Sequence, residues 1–426
     1  MAGNENAPEA KPGALWSQSG YPSWLTVDTA FGVSGAVNSF VLSLVVISAT
    51  GSPAQAGVVA SISLVSAGVF QFFGGWVQDF FDRRAVAIWH AITGIVLFAV
   101  GALLLATSTF TFLTASIFAV AIGVRAGLTG GVTNIMLRAF IEPHLLSKAM
   151  SVNQARDSVV EFGVAPFAGA LLQLGRVFPW MFNVVANAIG LVVCFLLPES
   201  ISRSRAQRAD AAEKLISFEA LFAGFKTVFS LRLLRALGTS GNIMFAVFNG
   251  VITVTVWHML ALTGNAAIAG LTNSMVAVGV FLGAAVAMKA VNAVPGGVIA
   301  LLAYFLPVMS TALLLLFHSS PWSVLFLLPA MALLPAGSAA IGSLQMLVIP
   351  NEKLGRAFSA VGILELIFSA VTTTATGFLY AHHGYMATVA VCVAVMVLCL
   401  VHVASVAQIR RIPRADVIEE FAASIA

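Results

Sequence analysis

Long hydrophobic runs with few or no charges, separated by short polar breaks, recur from residue 24 to residue 409. Each holds about 20 residues or more, enough for a helix rising 1.5 Å per residue to cross a hydrocarbon core of roughly 30 Å. The runs do not alternate strictly between apolar and polar positions, which selects helices over the strands of an outer-membrane barrel. A first set covers Trp24–Ser48, Ala54–Val77, Ala85–Ala106, Phe110–Ala139, Ala149–Leu174 and Pro179–Pro198. A second covers Leu231–Met259, Ala266–Met288, Val298–Phe317, Ser323–Ile349, Ala357–Tyr380 and Met386–Ile409. The pattern predicts an all-α integral membrane protein with about twelve transmembrane helices, arranged as two pseudo-symmetric six-helix bundles.

The polar breaks divide the chain into an N-terminal tail at 1–23, a first bundle at 24–198, a linker at 199–230, a second bundle at 231–409 and a C-terminal tail at 410–426. The first tail carries Pro8, Pro12 and Pro22 and lacks the apolar stretch of a cleavable signal, so the first span is expected to stay as an anchor. Within the linker, Arg203, Arg205, Arg208 and Lys214 give way to a mixture of Phe and Leu with Glu219 and Lys226, the composition of an interfacial helix. Basic residues sit in alternate loops: Arg83 and Arg84, Lys148, the linker, Lys289, Lys353 with Arg356, and Arg410, Arg411 and Arg414. Only Arg176 falls on the other side. Positive charge concentrates on the cytoplasmic face of a membrane, so both tails are expected in the cytoplasm, with the chain in the cell inner membrane.

The two sets echo one another. Ala49-Thr-Gly-Ser-Pro-Ala-Gln-Ala-Gly57 returns as Leu262-Thr-Gly-Asn-Ala-Ala-Ile-Ala-Gly270, and Leu146-Ser-Lys-Ala-Met-Ser151 returns as Leu354-Gly-Arg-Ala-Phe-Ser359. The second register aligns Asp157 with Glu365 and Gly169 with Gly377. A duplicated six-helix unit explains both echoes, and such repeats are typical of transporters.

Composition narrows the function classes. With 59% hydrophobic and 9% charged residues and a mean hydropathy of +0.98, the chain cannot clothe a soluble surface, which is normally about a quarter charged. A net charge of +4 is accounted for by the loops, so no nucleic-acid partner is expected; the bilayer is the main one. Cys194, Cys392 and Cys399 lie inside apolar runs and read as small hydrophobes. None of the 7 histidines forms H-E-x-x-H or a similar ligand spacing. His382 and His383 read as solvated turn residues and His258 and His402 as packed or interfacial, so no metal or cofactor is expected.

One loop has legible chemistry. Gly75-Trp-Val-Gln-Asp79-Phe-Phe-Asp82-Arg83-Arg84 combines a glycine for close helix approach, an acid able to accept from a helix N-terminus, and arginines for ion pairs near headgroups. It resembles the loop signature of the major facilitator superfamily, G-x-x-x-D-x-x-G-R-R, and the resemblance extends over essentially the whole chain. Phe80 replaces the usual basic residue and Asp82 the usual glycine, a variation associated with the enterobactin-exporter-like branch. The resemblance implies a latch of Gly75, Asp79, Asp82, Arg83 and Arg84 against the start of span eleven near Leu354 to Arg356, favouring an outward-facing state. A plain positive-inside turn explains Arg83 and Arg84 but not Gly75 and Asp79. In span five, Gly163-Val-Ala-Pro166-Phe-Ala-Gly169 is similar to an element of antiporter-type members and implies export. Physically it permits a bend and close packing, and Gly279 with Gly283 in span eight offers a matching face.

Charges within spans cost several kcal/mol unless paired or wetted, so Asp28, Arg125, Arg156, Asp157, Glu161 and Glu365 are the candidates for substrate or proton coupling. Arg125 and Glu161 both lie roughly 20 Å deep on adjacent spans and are expected to pair; Arg125 also resembles the span-four arginine of proton antiporters, with Gly130 one residue late. Asp157 and Glu161 are four apart on one helix face, where two carboxylates favour retention of a proton. The competing reading is a structural ion pair of Arg125 or Arg156 with these acids. Glu365 is expected to face the cavity, Asp28 to serve as gate or first-turn residue, and Asn38, Asn242 and Asn249 to be cavity groups or interhelical bonds. The expectation is a monomeric, proton-coupled exporter of an amphipathic small molecule such as a siderophore, antibiotic or drug-like compound. An importer or lysolipid flippase is the rival within transport. A membrane-embedded enzyme would need a clustered acid, histidine or nucleophile at one face, which is not seen, and a transport-dead sensor would usually gain a soluble domain.

Overall fold

The computed structural model describes residues 15–18, 20–141, 146–197, 225–230, 232–349, 351–414, 417, 418 and 421. Among these the regular structure is helical throughout. The first half of the chain forms α1 (Tyr21–Thr50), α2 (Pro53–Phe80), α3 (Arg83–Ala106), α4 (Phe112–Thr129), α5 (Val132–Phe140), α6 (Leu146–Leu174) and α7 (Phe178–Cys194). The second half forms α8 (Arg232–Thr263), α9 (Ala266–Ala293), α10 (Gly296–Leu316), a 3₁₀ turn (Pro321–Leu327), α11 (Leu334–Val348), α12 (Asn351–Ser405) and the short α13 (Ala407–Arg410). Of the described helices, 8 stretches are long and apolar enough to cross a membrane.

Three predicted boundaries are refined. The run Phe110–Ala139 is divided between α4 and α5 by Gly130 and Gly131, residues that relax the helix where Gly130 backs onto the Ala126 carbonyl. The run Ser323–Ile349 begins as a 3₁₀ turn, and α11 starts only where Pro335 can occupy its first turn. The last two runs appear as one continuous element, α12, whose helical dihedrals break at Gly384 with φ 75° and ψ −175°. A straight helix of that length would span about 80 Å. Instead, Ala357 and Ala360 cluster with Leu234 while Val403 and Ile409 cluster with Leu233, so the chain reverses at Gly384 and both arms return to the start of α8.

The echoed sequences build one turn twice. Gly51 ends α1 in the left-handed region (φ 69°) with its N–H on the Ile47 carbonyl, and Ser52 caps α2 by accepting from the Gln55 N–H. Gly264 ends α8 in the same way (φ 67°, N–H to the Leu260 carbonyl), and the Asn265 side chain accepts from the Ala267 N–H at 2.9 Å.

Helix α2 packs on α4 and on α12, α6 on α9, α7 on α1 and α3, and α8 on α12. The two pairings between halves repeat each other residue by residue. Gly377 of α12 abuts the Pro53 carbonyl, and Gly169 of α6 abuts the Ala266 carbonyl; the sequence echoes equate exactly these partners, Pro53 with Ala266 and Gly377 with Gly169. Ser61 donates to the Ala370 carbonyl at 2.8 Å, and its counterpart Ser274 donates to the Phe162 carbonyl at 2.6 Å. All these contacts lie toward the α1–α2 and α8–α9 turns, where Trp257 also donates to Ser43 across the halves at 3.2 Å. The largest buried cluster sits there too, joining Val41, Val45 and Trp180 to Val254, Trp257 and Tyr385.

Candidate functional site

Between the halves, below that closed end, lies a cavity of about 330 Å³. From the first half α1 contributes Ala36, Ser39, Phe40 and Ser43, and α6 contributes Glu161, Val164 and Ala165. From the second half α8 contributes Ile252, Thr253 and Val256, and α9 contributes Asn273. Among the described residues the wall is thus apolar with a few hydroxyls, one amide and a single ionisable group. Glu161 is exposed to this space and has no hydrogen-bond or ion-pair partner among the described residues. A small apolar cavity with convergent polar groups is the usual form of a small-molecule site.

The other candidate charges are held elsewhere. Arg156 donates to Asp28 at 2.5 Å, to Asp157 at 2.6 Å and to the Thr29 hydroxyl at 3.2 Å. Asp28 is only 13% exposed, whereas Asp157 is 65% exposed. The cluster therefore pins α6 to α1 through Asp28 and leaves Asp157 largely in solvent. Arg125 does not meet Glu161. Its guanidinium donates to the His90 carbonyl at 3.0 Å and to Asn187 Oδ1 at 2.6 Å, and the Asn187 amide donates in turn to Ser34 at 2.8 Å. The expected pairing fails because the side chain turns inward toward α3 and α7, where Gly94 leaves room for both the guanidinium and the Asn187 amide.

Glu365 is exposed and, like Glu161, has no partner among the described residues. It stands on the α12 stripe that carries Val361, whose carbonyl accepts from Asn242, and Thr372, whose methyl meets Gly250; spacings of four and seven residues put all three toward α8. Its level on α8 is between residues 242 and 250, roughly 10 Å from Ile252 and Thr253 toward the α8 N-terminus. Asn242 and Asn249 are engaged by helix carbonyls, and Asn38 is buried with its Oδ1 lacking a donor among the described residues. Neither Asn242, Asn249 nor Asn38 lines the cavity. Ser39, Ser43, Thr253 and Asn273 were not singled out from sequence, since neutral polar residues inside apolar helices are common and carry no distinguishing spacing.

In the loop after α2, the Asp82 side chain caps α3 by accepting from the Arg84 N–H at 2.8 Å. Arg84 reaches the Cys194 carbonyl at 3.1 Å and the Phe195 carbonyl at 2.8 Å, so it ties α3 to the end of α7 within the first half. The side chains at Asp79 and Arg356, and the surroundings of Gly75, fall outside the described residues; Arg83 has interactions of its own there. The glycines of α9 pack differently from the expectation: Gly279 and Gly283 abut the Leu328 and Ala332 carbonyls of the second half, and it is Gly270 that meets Ala165 and Pro166 of α6. Gly163 faces open space.

The sequence model of the Major Facilitator Superfamily matches residues 27–365, taking in α1 to the first arm of α12. The chain belongs to the major facilitator superfamily. No curated protein matches the sequence significantly. Among solved structures, a bacterial homologue of the iron transporter ferroportin in an inward-facing state aligns with a TM-score of 0.68 at 16% identity, over 89% of this chain and 97% of that one. The xylose transporter XylE from E. coli, in a partially occluded inward open conformation, aligns with a TM-score of 0.64 at 14% identity over 93% and 99%. A POT family transporter in complex with 5-aminolevulinic acid gives 0.64 at 14% over 90% and 96%. At these identities the likeness speaks for the fold. As a superfamily member the chain is a multi-pass membrane transport protein.

Proposed function

We propose that this superfamily member is a proton-coupled secondary exporter of an amphipathic small molecule, in the siderophore, antibiotic or drug-like class, and that it works by alternating access. In this reading about twelve crossings form two six-helix bundles at 24–198 and 231–409, both tails are cytoplasmic in a cell inner membrane, and a single chain is the working unit. The observation that carries it is Glu161: one carboxylate without a partner among the described residues, on the wall of a cavity of about 330 Å³ shared by both halves. A carboxylate in a membrane interior is costly when charged and alone, and a proton or a substrate that neutralises it links occupancy to the closing of the halves. Arg156 with Asp28 and Asp157, and Arg125 with Asn187, position α6 and α4 around it. Asp79, Arg83 and Arg356 form the cytoplasmic latch, and the enterobactin-exporter-like branch is supported by Phe80 and Asp82 in the loop signature.

Purified protein in proteoliposomes carrying a pH-sensitive dye tests this. Substrate-induced proton flux is expected in the wild type and absent in Glu161→Gln; equal flux in the variant overturns the assignment. A D-xylose-proton symporter of the same fold aligns at a TM-score of 0.62, which favours uptake as the second reading. Transport in inverted but not right-side-out vesicles supports export, and the reverse supports uptake.

A further inference from the structure

We infer that the transported molecule bears a positive charge, an ammonium or comparable lipophilic cation, and that the Glu161 carboxylate is its counter-ion; this rests on the cavity being the transport site. Among the described residues Glu161 is the one ionisable group lining the space, and the in-span arginines of the first half are committed elsewhere. Arg156 stands five residues back on α6, about 7.5 Å along the axis, and is saturated by Asp28, Asp157 and Thr29. Arg125 points into the first half, on Asn187 and the His90 carbonyl. Among the described residues the cavity therefore presents a fixed acid without a fixed base.

The rest of the wall suits an organic cation. Phe40, Val164, Ile252 and Val256 supply apolar surface, and Phe40 adds an aromatic ring that can meet a cation. Ser39 and Asn273 offer neutral hydrogen bonds on the same wall. A volume of about 330 Å³ holds a compact molecule at the lower end of drug-sized ligands. An anionic substrate would enter against the Glu161 carboxylate.

A matched pair of ions tests this directly. Tetraphenylphosphonium and tetraphenylborate share size and shape and differ in sign. With the full-length protein in nanodiscs, and empty nanodiscs subtracted, tetraphenylphosphonium is expected to bind at least tenfold more tightly than tetraphenylborate. Glu161→Gln should weaken the cation at least tenfold without strengthening its dependence on Asn273, and Glu161→Asp should restore part of the loss while both variants keep the wild-type melting temperature. Equal binding of the two ions, or cation binding unaffected in Glu161→Gln, overturns the inference. Glu161-dependent proton flux without cation binding sinks this inference and leaves the exporter reading standing; cation binding at Glu161 without any flux does the opposite.

Discussion

Arg156 satisfies two carboxylates and a hydroxyl at once, and the exposures of its partners decide what each is worth. Asp28 is 13% exposed and Asp157 65% exposed. Removing the arginine strands a largely buried aspartate, which costs about 2–3 kcal/mol where some solvent remains, while the exposed partner contributes under about 1 kcal/mol. Arg156→Ala is accordingly expected to lower the melting temperature in detergent clearly, Asp157→Asn to leave it nearly unchanged, and the double variant Arg156→Ala with Asp28→Asn to recover stability. Equal losses from the two single changes would show that the cluster is not organised around Asp28. Asn187 makes a second residue-level case: it takes the buried Arg125 guanidinium and passes the bond to Ser34. Asn187→Leu removes the acceptor of a buried charge, and should cost about 3 kcal/mol in the same assay. From sequence, the six in-span charges were visible and a pairing of Arg156 with Asp157 was one of the readings, but its bond to Asp28 on α1 was not. Asp157 and Glu161 occupy one helix face four residues apart, yet only tertiary contacts make one the partner of Arg156 and leave the other on the cavity wall.

At the scale of helices, the crossings between halves depend on glycines and serines that bring backbones together. A Cβ on Gly57 would stand 2.7 Å from the Thr373 carbonyl oxygen, and one on Gly270 would stand 2.5 Å from that of Ala165. Neither obstacle can swing aside, because both belong to helix backbones. Gly57→Val and Gly270→Val are expected to force the α2–α12 and α6–α9 crossings apart. Cysteine pairs across the α1–α2 and α8–α9 turns should then cross-link at least tenfold less, whereas Gly163→Val, facing open space, should leave cross-linking unchanged. Ser61 and Ser274 make equivalent bonds in the two crossings, each worth about 0.6 kcal/mol as interhelical bonds in membranes go; Ser61→Ala and Ser274→Ala should therefore shift stability by similar small amounts. The helices, the duplicated Thr-Gly turn and the alignment of Gly169 with Gly377 were legible because hydrophobic period and turn chemistry are local. The partner of Gly279 and Gly283 was not, since a small-residue face states that something approaches closely without stating what. The late start of α11 escaped for a related reason: the run is largely apolar, and its two prolines, Pro329 and Pro335, do not by themselves say which one opens the helix.

For the whole molecule, these crossings close one end of the space between the halves and Glu161 lies just inside. On the proposed orientation, with the positive-inside loops in the cytoplasm, the closed end faces outward and the cavity opens to the cytoplasm in this state, and the proposed export requires a second state with the closure transferred to the other end. In the proposed mechanism the balance between them follows what neutralises Glu161, because apolar walls can close on a neutral carboxyl far more readily than on a charged one. The most direct measurement is the distance distribution between spin labels on the outer ends of the halves, at Ser108 and Ser319, read by double electron–electron resonance as pH is lowered. Two populations whose ratio moves with pH in the wild type, and a ratio independent of pH in Glu161→Gln, are the expected result; a single distance at every pH, or a variant that responds as the wild type does, would contradict the account.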